Sequence, residues 1–95
     1  GHVASLFPGA PEIDTALAAG DDATCQVMSA PDEPAGRITQ RVASLLDSRW
    51  IALCFTGHDK RAVFARALDD GPARDLPVRA VLHNASTPVQ AYWSP

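Results

Sequence analysis

The sequence predicts an α/β fold: part of a doubly wound, mainly parallel sheet with helices on both faces. Three observations carry that expectation. Trp50-Ile51-Ala52-Leu53-Cys54-Phe55 is a continuous apolar run, the pattern of a strand buried on both faces rather than on one. Thr56-Gly57-His58-Asp59-Lys60 interrupts it with a glycine suited to a tight turn and an aspartate suited to capping a helix. Arg61 to Asp70 then reads as helix, with Val63, Phe64, Ala67 and Leu68 at three- and four-residue spacings, and Gly71-Pro72 ends it.

The remaining elements follow in chain order. Gly1 to Gly9 is a short mixed segment ending in turn residues. Ala10 to Ala19 carries Ile13 and Leu17 at helical spacing, with Pro11, Glu12 and Asp14 in the first turn and Gly20 as a stop. Asp21 and Asp22, read as a solvated turn rather than a metal site, lead into a strand over 23–28. Ser29 to Gly36, with Pro31, Pro34 and Gly36, is a loop. Arg37-Ile38-Thr39 leads into a helix running to about Asp47, with Thr39 as its cap and Ile38, Val42, Leu45 and Leu46 as its apolar stripe. Ala73 to Pro77 is a loop or single turn, and Val78–Leu82 is ambiguous. His83 and Asn84 read as polar turn residues. Val89 to Trp93 alternates and predicts an edge or terminal strand.

The totals narrow the class. No apolar run approaches the ~20 residues of a membrane span, and the formal charge of −3 argues against nucleic acid as a partner. The acidity is uneven, because no Lys or Arg precedes Arg37. Cys25 and Cys54 have no metal-type spacing and are expected as buried thiols, which suits a reducing, cytoplasmic setting. A strand as apolar as 50–55 needs neighbours on both sides. With about three strands and two helices in view, the chain is expected to be part of a larger domain.

Chemistry concentrates at two helix starts. Ligands of open parallel sheets collect at the carboxyl ends of strands, where helix amino termini attract anions. Lys60 lies at such a place, and Arg37 at a second predicted helix start. A guanidinium that binds bidentately and an ammonium point charge form a plausible shared anion site, suited to phosphate. Taken bare, His2 reads as an exposed residue near a chain terminus.

These segments together resemble the carboxyl-terminal part of the glucosamine-6-phosphate isomerase/6-phosphogluconolactonase family. Gly1-His2-Val3-Ala4-Ser5-Leu6-Phe7-Pro8-Gly9 is similar to the Asp-Gly-His-Thr-Ala-Ser-Leu-Phe-Pro signature of its lactonase branch. Ala30-Pro31 through Arg37-Ile38-Thr39 resembles the family's proline-containing loop and Arg-Ile-Thr element. Cys54-Phe55-Thr56-Gly57 with Lys60 resembles the strand, glycine and lysine that follow, and Asp75-Leu76-Pro77 and the Trp-containing end also fit. Val3 in place of Thr, and Gln40-Arg41 in place of a more apolar continuation, are departures.

The resemblance implies a NagB/RpiA/CoA-transferase-like fold of which residues 1–95 form the carboxyl-terminal portion, the amino-terminal half lying outside this chain. It implies hydrolysis of 6-phosphogluconolactone, with His2 as the catalytic base, Arg37 and Lys60 on the substrate phosphate, and neither metal nor cofactor. Deaminase members of the family resemble Gly-His-Ile-Ala-Phe-Asn-Glu-Pro at the first segment, with a catalytic glutamate where this chain has Phe7. An apolar ring cannot move protons for amine loss, so lactone hydrolysis is the favoured expectation. A sugar-phosphate-binding module without catalysis would keep Arg37 and Lys60 and could discard His2.

Overall fold

A computed structural model describes residues 1–18, 23–30 and 34–95. Its elements in chain order are α1 (Ile13–Leu17), β1 (Cys25–Met28), β2 (Arg37–Gln40), α2 (Val42–Leu46), β3 (Ile51–Thr56), α3 (His58–Leu68), α4 (Val78–Leu82) and β4 (Val89–Ser94). Asp21 and Asp22, the stop at Gly20 and part of the proline-containing loop lie outside the described residues.

β3 and β4 pair in parallel, with Ile51 opposite Val89 and Thr56 opposite Ser94. Parallel partners need a long crossover, here supplied by α3 and α4. β1 and β2 form a separate antiparallel pair, with Cys25 opposite Gln40 and Met28 opposite Arg37. The α/β class is therefore realised with one parallel and one antiparallel pair among the described residues.

Leu6, Ile13, Ala16, Met28 and Val42 form a buried cluster where the amino-terminal segment, α1, β1 and α2 meet. A second buried group, Ala67, Val78 and Val81, joins α3 to α4. The polar ends of this helix pair are also joined. Arg79 donates to the carbonyls of Arg66 and Pro72, and His83 Nε2 lies 2.7 Å from the carbonyl of Ala67. Of these, the His83 contact meets a carbonyl in the last turn of α3, where helix carbonyls lack intrahelical partners. Gly71 lies beneath that clamp, where a Cβ would displace the Arg79 guanidinium. Asn84 does organise a turn, as its residue type suggests: its Oδ1 accepts from the backbone of Ser86 and Thr87.

Within this chain β3 alternates between half-buried and exposed residues, one face packed and the other open. Ala52, Cys54 and Thr56 point to the open face, opposite Gln90, Tyr92 and Ser94 of β4. Both cysteines are accordingly exposed, Cys54 on this face and Cys25 at the start of β1. Residues 37–40 form a strand, not the approach to a helix, because pairing with β1 satisfies their backbone and suits β-branched Ile38 and Thr39. Ile38 is 77% exposed and so lies off the apolar stripe of α2. Thr39 is buried and caps nothing. Helix α3 begins at His58, three residues before the expected start, because Gly57 reverses the chain within one residue. Asp59 therefore sits in the first turn, and its side chain makes no cap bond. The ambiguous stretch 78–82 is helical.

Candidate active site

The carboxyl end of β3 delivers the chain to Gly57, whose φ of 93° and ψ of 154° lie in a region that side chains with a Cβ avoid. That turn starts α3 at once and puts Lys60 on its first turn. Local sequence supplies the main parts of this geometry: an apolar strand, one glycine at positive φ, and a helix whose Phe64 packs on Phe55 of β3 with ring centroids 5.0 Å apart.

The opposite wall is built differently. Gly1 to Gly9 has no regular element of its own beyond an isolated bridge between Val3 and Leu6. Leu6 N donates to Val3 O at 3.0 Å across a tight turn, in which Ala4 adopts a φ of 51°. For a residue with a Cβ this left-handed conformation costs about 1–2 kcal/mol, so surrounding contacts must hold it. Three do so. Ser5 N donates to Thr39 Oγ1 at 3.1 Å. Val78 N donates to Gly1 O at 3.0 Å. Leu6 is fully buried in the core. The segment is thus pinned between β2 and α4, and His2 emerges from it against Phe7, with ring centroids 5.1 Å apart.

His2 and Lys60 line the same pocket, of about 400 Å³, with Asp59 at its polar edge and Leu53, Val63 and Phe64 among its apolar walls. Arg37 is not part of that lining, but its charge reaches His2. The imidazole pKa is held below its ordinary 6.5, first by partial burial, then by the positive charges of Lys60 and Arg37. The fold therefore brings two of the three expected residues, His2 and Lys60, to one pocket, while Arg37 lies at the start of β2 outside its lining. Neutral imidazole is favoured at His2, and a neutral imidazole can accept a proton.

Sequence reasoning missed three contributors. Asp59 was expected as a cap and instead lines the pocket. Thr39 was also expected as a cap and instead ties the His2 segment to β2; a buried threonine in a strand has no signature that separates it from an exposed one. Trp93 was expected as an ordinary strand residue, yet its Nε1 donates to Gly57 O at 2.8 Å. Among the described residues, no three His, Cys, Asp or Glu side chains come together as a metal-binding group. No described helix is long and apolar enough to cross a membrane.

A strand–glycine–helix turn carrying a lysine, and a histidine lining the same partly apolar pocket, mark an α/β protein with a cation and a neutral imidazole at one candidate site. The chain belongs to the glucosamine-6-phosphate isomerase/6-phosphogluconolactonase family, whose profile matches residues 1–93. It is 35% identical over 95 residues to a 6-phosphogluconolactonase of Rhizobium meliloti (strain 1021), the match covering the whole chain and 41% of that protein. A 6-phosphogluconolactonase of Mesorhizobium japonicum is 37% identical over 95 residues, covering the whole chain and 39% of its own length. The crystal structure of a 6-phosphogluconolactonase from Shewanella baltica OS155 superposes with a TM-score of 0.91 at 37% identity, over the whole chain and 40% of that structure. The chain thus spans about 40% of the length of the relatives it matches.

Proposed function

We propose that this chain supplies the carboxyl-terminal portion of a 6-phosphogluconolactonase domain, a cytoplasmic enzyme that hydrolyses 6-phosphogluconolactone to 6-phosphogluconate. The observation that carries the reading is the shared pocket, with His2 on one wall and Lys60 on the other. The names and full-chain coverage of the relatives support it. The exposed face of β3 and β4 supports the view that further polypeptide of the same domain covers this sheet.

The chemistry asks little of the protein. A lactone is an activated ester, so placing it and activating water provide most of what is needed. His2 takes a proton from water as the water oxygen attacks the lactone carbonyl carbon. The tetrahedral intermediate then collapses, the bond from the carbonyl carbon to the ring oxygen breaks, and that oxygen receives the proton from His2. General-base help of this kind contributes about 10²–10⁴ in rate. Lys60 and Arg37 hold the 6-phosphate, and this anchoring supplies orientation at the reacting carbon. Phe7 beside His2 offers no proton-transfer group, which disfavours the deaminase reaction at this position.

The test is hydrolysis of 6-phosphogluconolactone by the complete protein carrying this chain, followed by proton release at constant pH. Saturable turnover that is abolished by His2→Ala is the expected outcome. Binding of the sugar phosphate without turnover would replace the enzyme reading with that of a sensing module. Release of ammonia from glucosamine 6-phosphate would replace it with a deaminase.

A further inference from the structure

Trp93 lies outside the pocket lining, yet it contacts the turn from which Lys60 follows. Its indole Nε1–H donates to Gly57 O at 2.8 Å. The same carbonyl accepts the first backbone bond of α3, from Arg61 N at 3.2 Å, and Gly57 N donates to Ser94 O at 2.9 Å. Both sides of the residue that reverses the chain are therefore held by the last two residues of β4. The indole ring is gripped in turn by α3. The Arg61 guanidinium carbon lies 4.5 Å from the ring centroid, and the His58 ring meets it edge-on at 5.5 Å.

His58 and Arg61 are three residues apart and share one face of the helix. Lys60 precedes Arg61 by one residue, about 100° around the helix axis, and lines the pocket. With one face of the first turn locked onto Trp93, the rotation of α3 about its axis is set, and with it the direction of Lys60. We propose that Trp93 is a positioning residue for Lys60: it fixes the rotation and start of α3 so that the ammonium meets the phosphate of the substrate. The inference rests on the reading of Lys60 as a phosphate ligand. It adds that the anion-binding wall depends on a residue 36 positions away in sequence.

A tryptophan that merely filled space would influence stability alike whatever Lys60 does. A positioning residue acts through Lys60. The experiment is a double-mutant cycle in the complete enzyme, with 6-phosphogluconolactone as substrate and KM and kcat measured separately. Trp93→Phe keeps an aromatic ring for Arg61 and removes the N–H. KM should rise about 3–10-fold, the scale of one lost neutral hydrogen bond, with kcat within about twofold of wild type. In a Lys60→Ala background the same substitution should change KM by less than about twofold, because the group it orients is gone. Unchanged KM in Trp93→Phe, or an equal rise in both backgrounds, overturns the role of Trp93 while leaving Lys60 as a phosphate ligand. Unchanged KM in Lys60→Ala alone overturns the underlying reading, and the inference with it. Should Trp93→Phe fail to fold, Arg61→Leu carries the same cycle, since it removes the cation from the ring and leaves the indole hydrogen bond in place. The expected and overturning results are then the same.

Discussion

The two walls of the pocket are made in opposite ways. The Lys60 wall is a strand, a glycine and a helix, contiguous over 51–68 and shaped chiefly by local sequence. The His2 wall is an irregular segment with a positive φ at Ala4, held in place by Thr39 and Val78, residues more than thirty and seventy positions away. The first wall can be recognised from any window that contains it. The second exists only when β2 and α4 are already in position. The proposed base thus sits on the segment held chiefly by distant residues, and the proposed phosphate ligand on the one shaped chiefly by its own sequence, with Trp93 as its distant contact.

Substitutions can break this comparison at either wall. The largest effect should come from His2→Ala in the complete enzyme, which should lower kcat about 10²–10⁴-fold with little change in KM. A fall in KM-dependent terms alone would move His2 from proton transfer to binding. Lys60→Ala should do the reverse, raising KM about 10–100-fold, the value of a charge-assisted contact to phosphate, at nearly constant kcat. If both substitutions altered kcat equally, the two walls would not have separate tasks.

Smaller effects test how each wall is built. Gly57→Ala should cost about 1–3 kcal/mol of stability in chemical denaturation, because its backbone lies in a region closed to residues with a Cβ. Open space surrounds the site for an added Cβ, so a clash is not the cause. On the other wall, Thr39→Val keeps the buried shape but leaves Ser5 N without its acceptor, at a cost of about 1–3 kcal/mol. It should also lower kcat more than it raises KM, and Thr39→Ser should restore both. Failure of the serine variant to rescue would mean that packing, rather than the hydrogen bond, holds the His2 segment.

The mildest probe is pH. Burial and the neighbouring positive charges disfavour imidazolium at His2, so its pKa is below 6.5 in the folded protein. The acid limb of kcat/KM should therefore fall below pH 6.5, and Lys60→Ala should move it upward by removing one of those charges. Stability follows the same group. Between the lowered folded pKa and 6.5 the unfolded chain binds more protons at His2 than the folded one, so this contribution to stability declines as pH drops through that window. Glu12 adds a dependence of the same sign at lower pH. Its carboxylate pKa is lowered by hydrogen bonds from the side chain and backbone of Ser29, and the stability they confer is lost as pH falls through the lowered value. An acid limb centred above 6.5 would contradict the electrostatics of the pocket.

Much of this architecture is legible in the amino-acid order alone. The strand at 51–56, its glycine turn, the helix carrying Lys60 and the terminal strand all follow from hydrophobic pattern and from residue types with restricted backbone choices. The first nine residues are recognisable as a family signature, although nothing in their periodicity reveals a structure. Pattern failed where backbone pairing competes with side-chain preference. Arg37-Ile38-Thr39 looks like the entry to a helix, yet becomes a strand because β1 is available to pair with it. The cysteines look buried, yet lie exposed because burial belongs to the neighbours of a strand and not to the strand itself. Local sequence determined that the chain turns at Gly57 and that Lys60 follows, since steric limits on φ and ψ act within a few residues. Tertiary structure alone decided that His2 and Lys60 line one pocket, that Thr39 and Trp93 contact its two walls, and which strand faces this chain covers. Those outcomes depend on contacts between residues far apart in sequence, whose geometry exists only once the whole chain has packed.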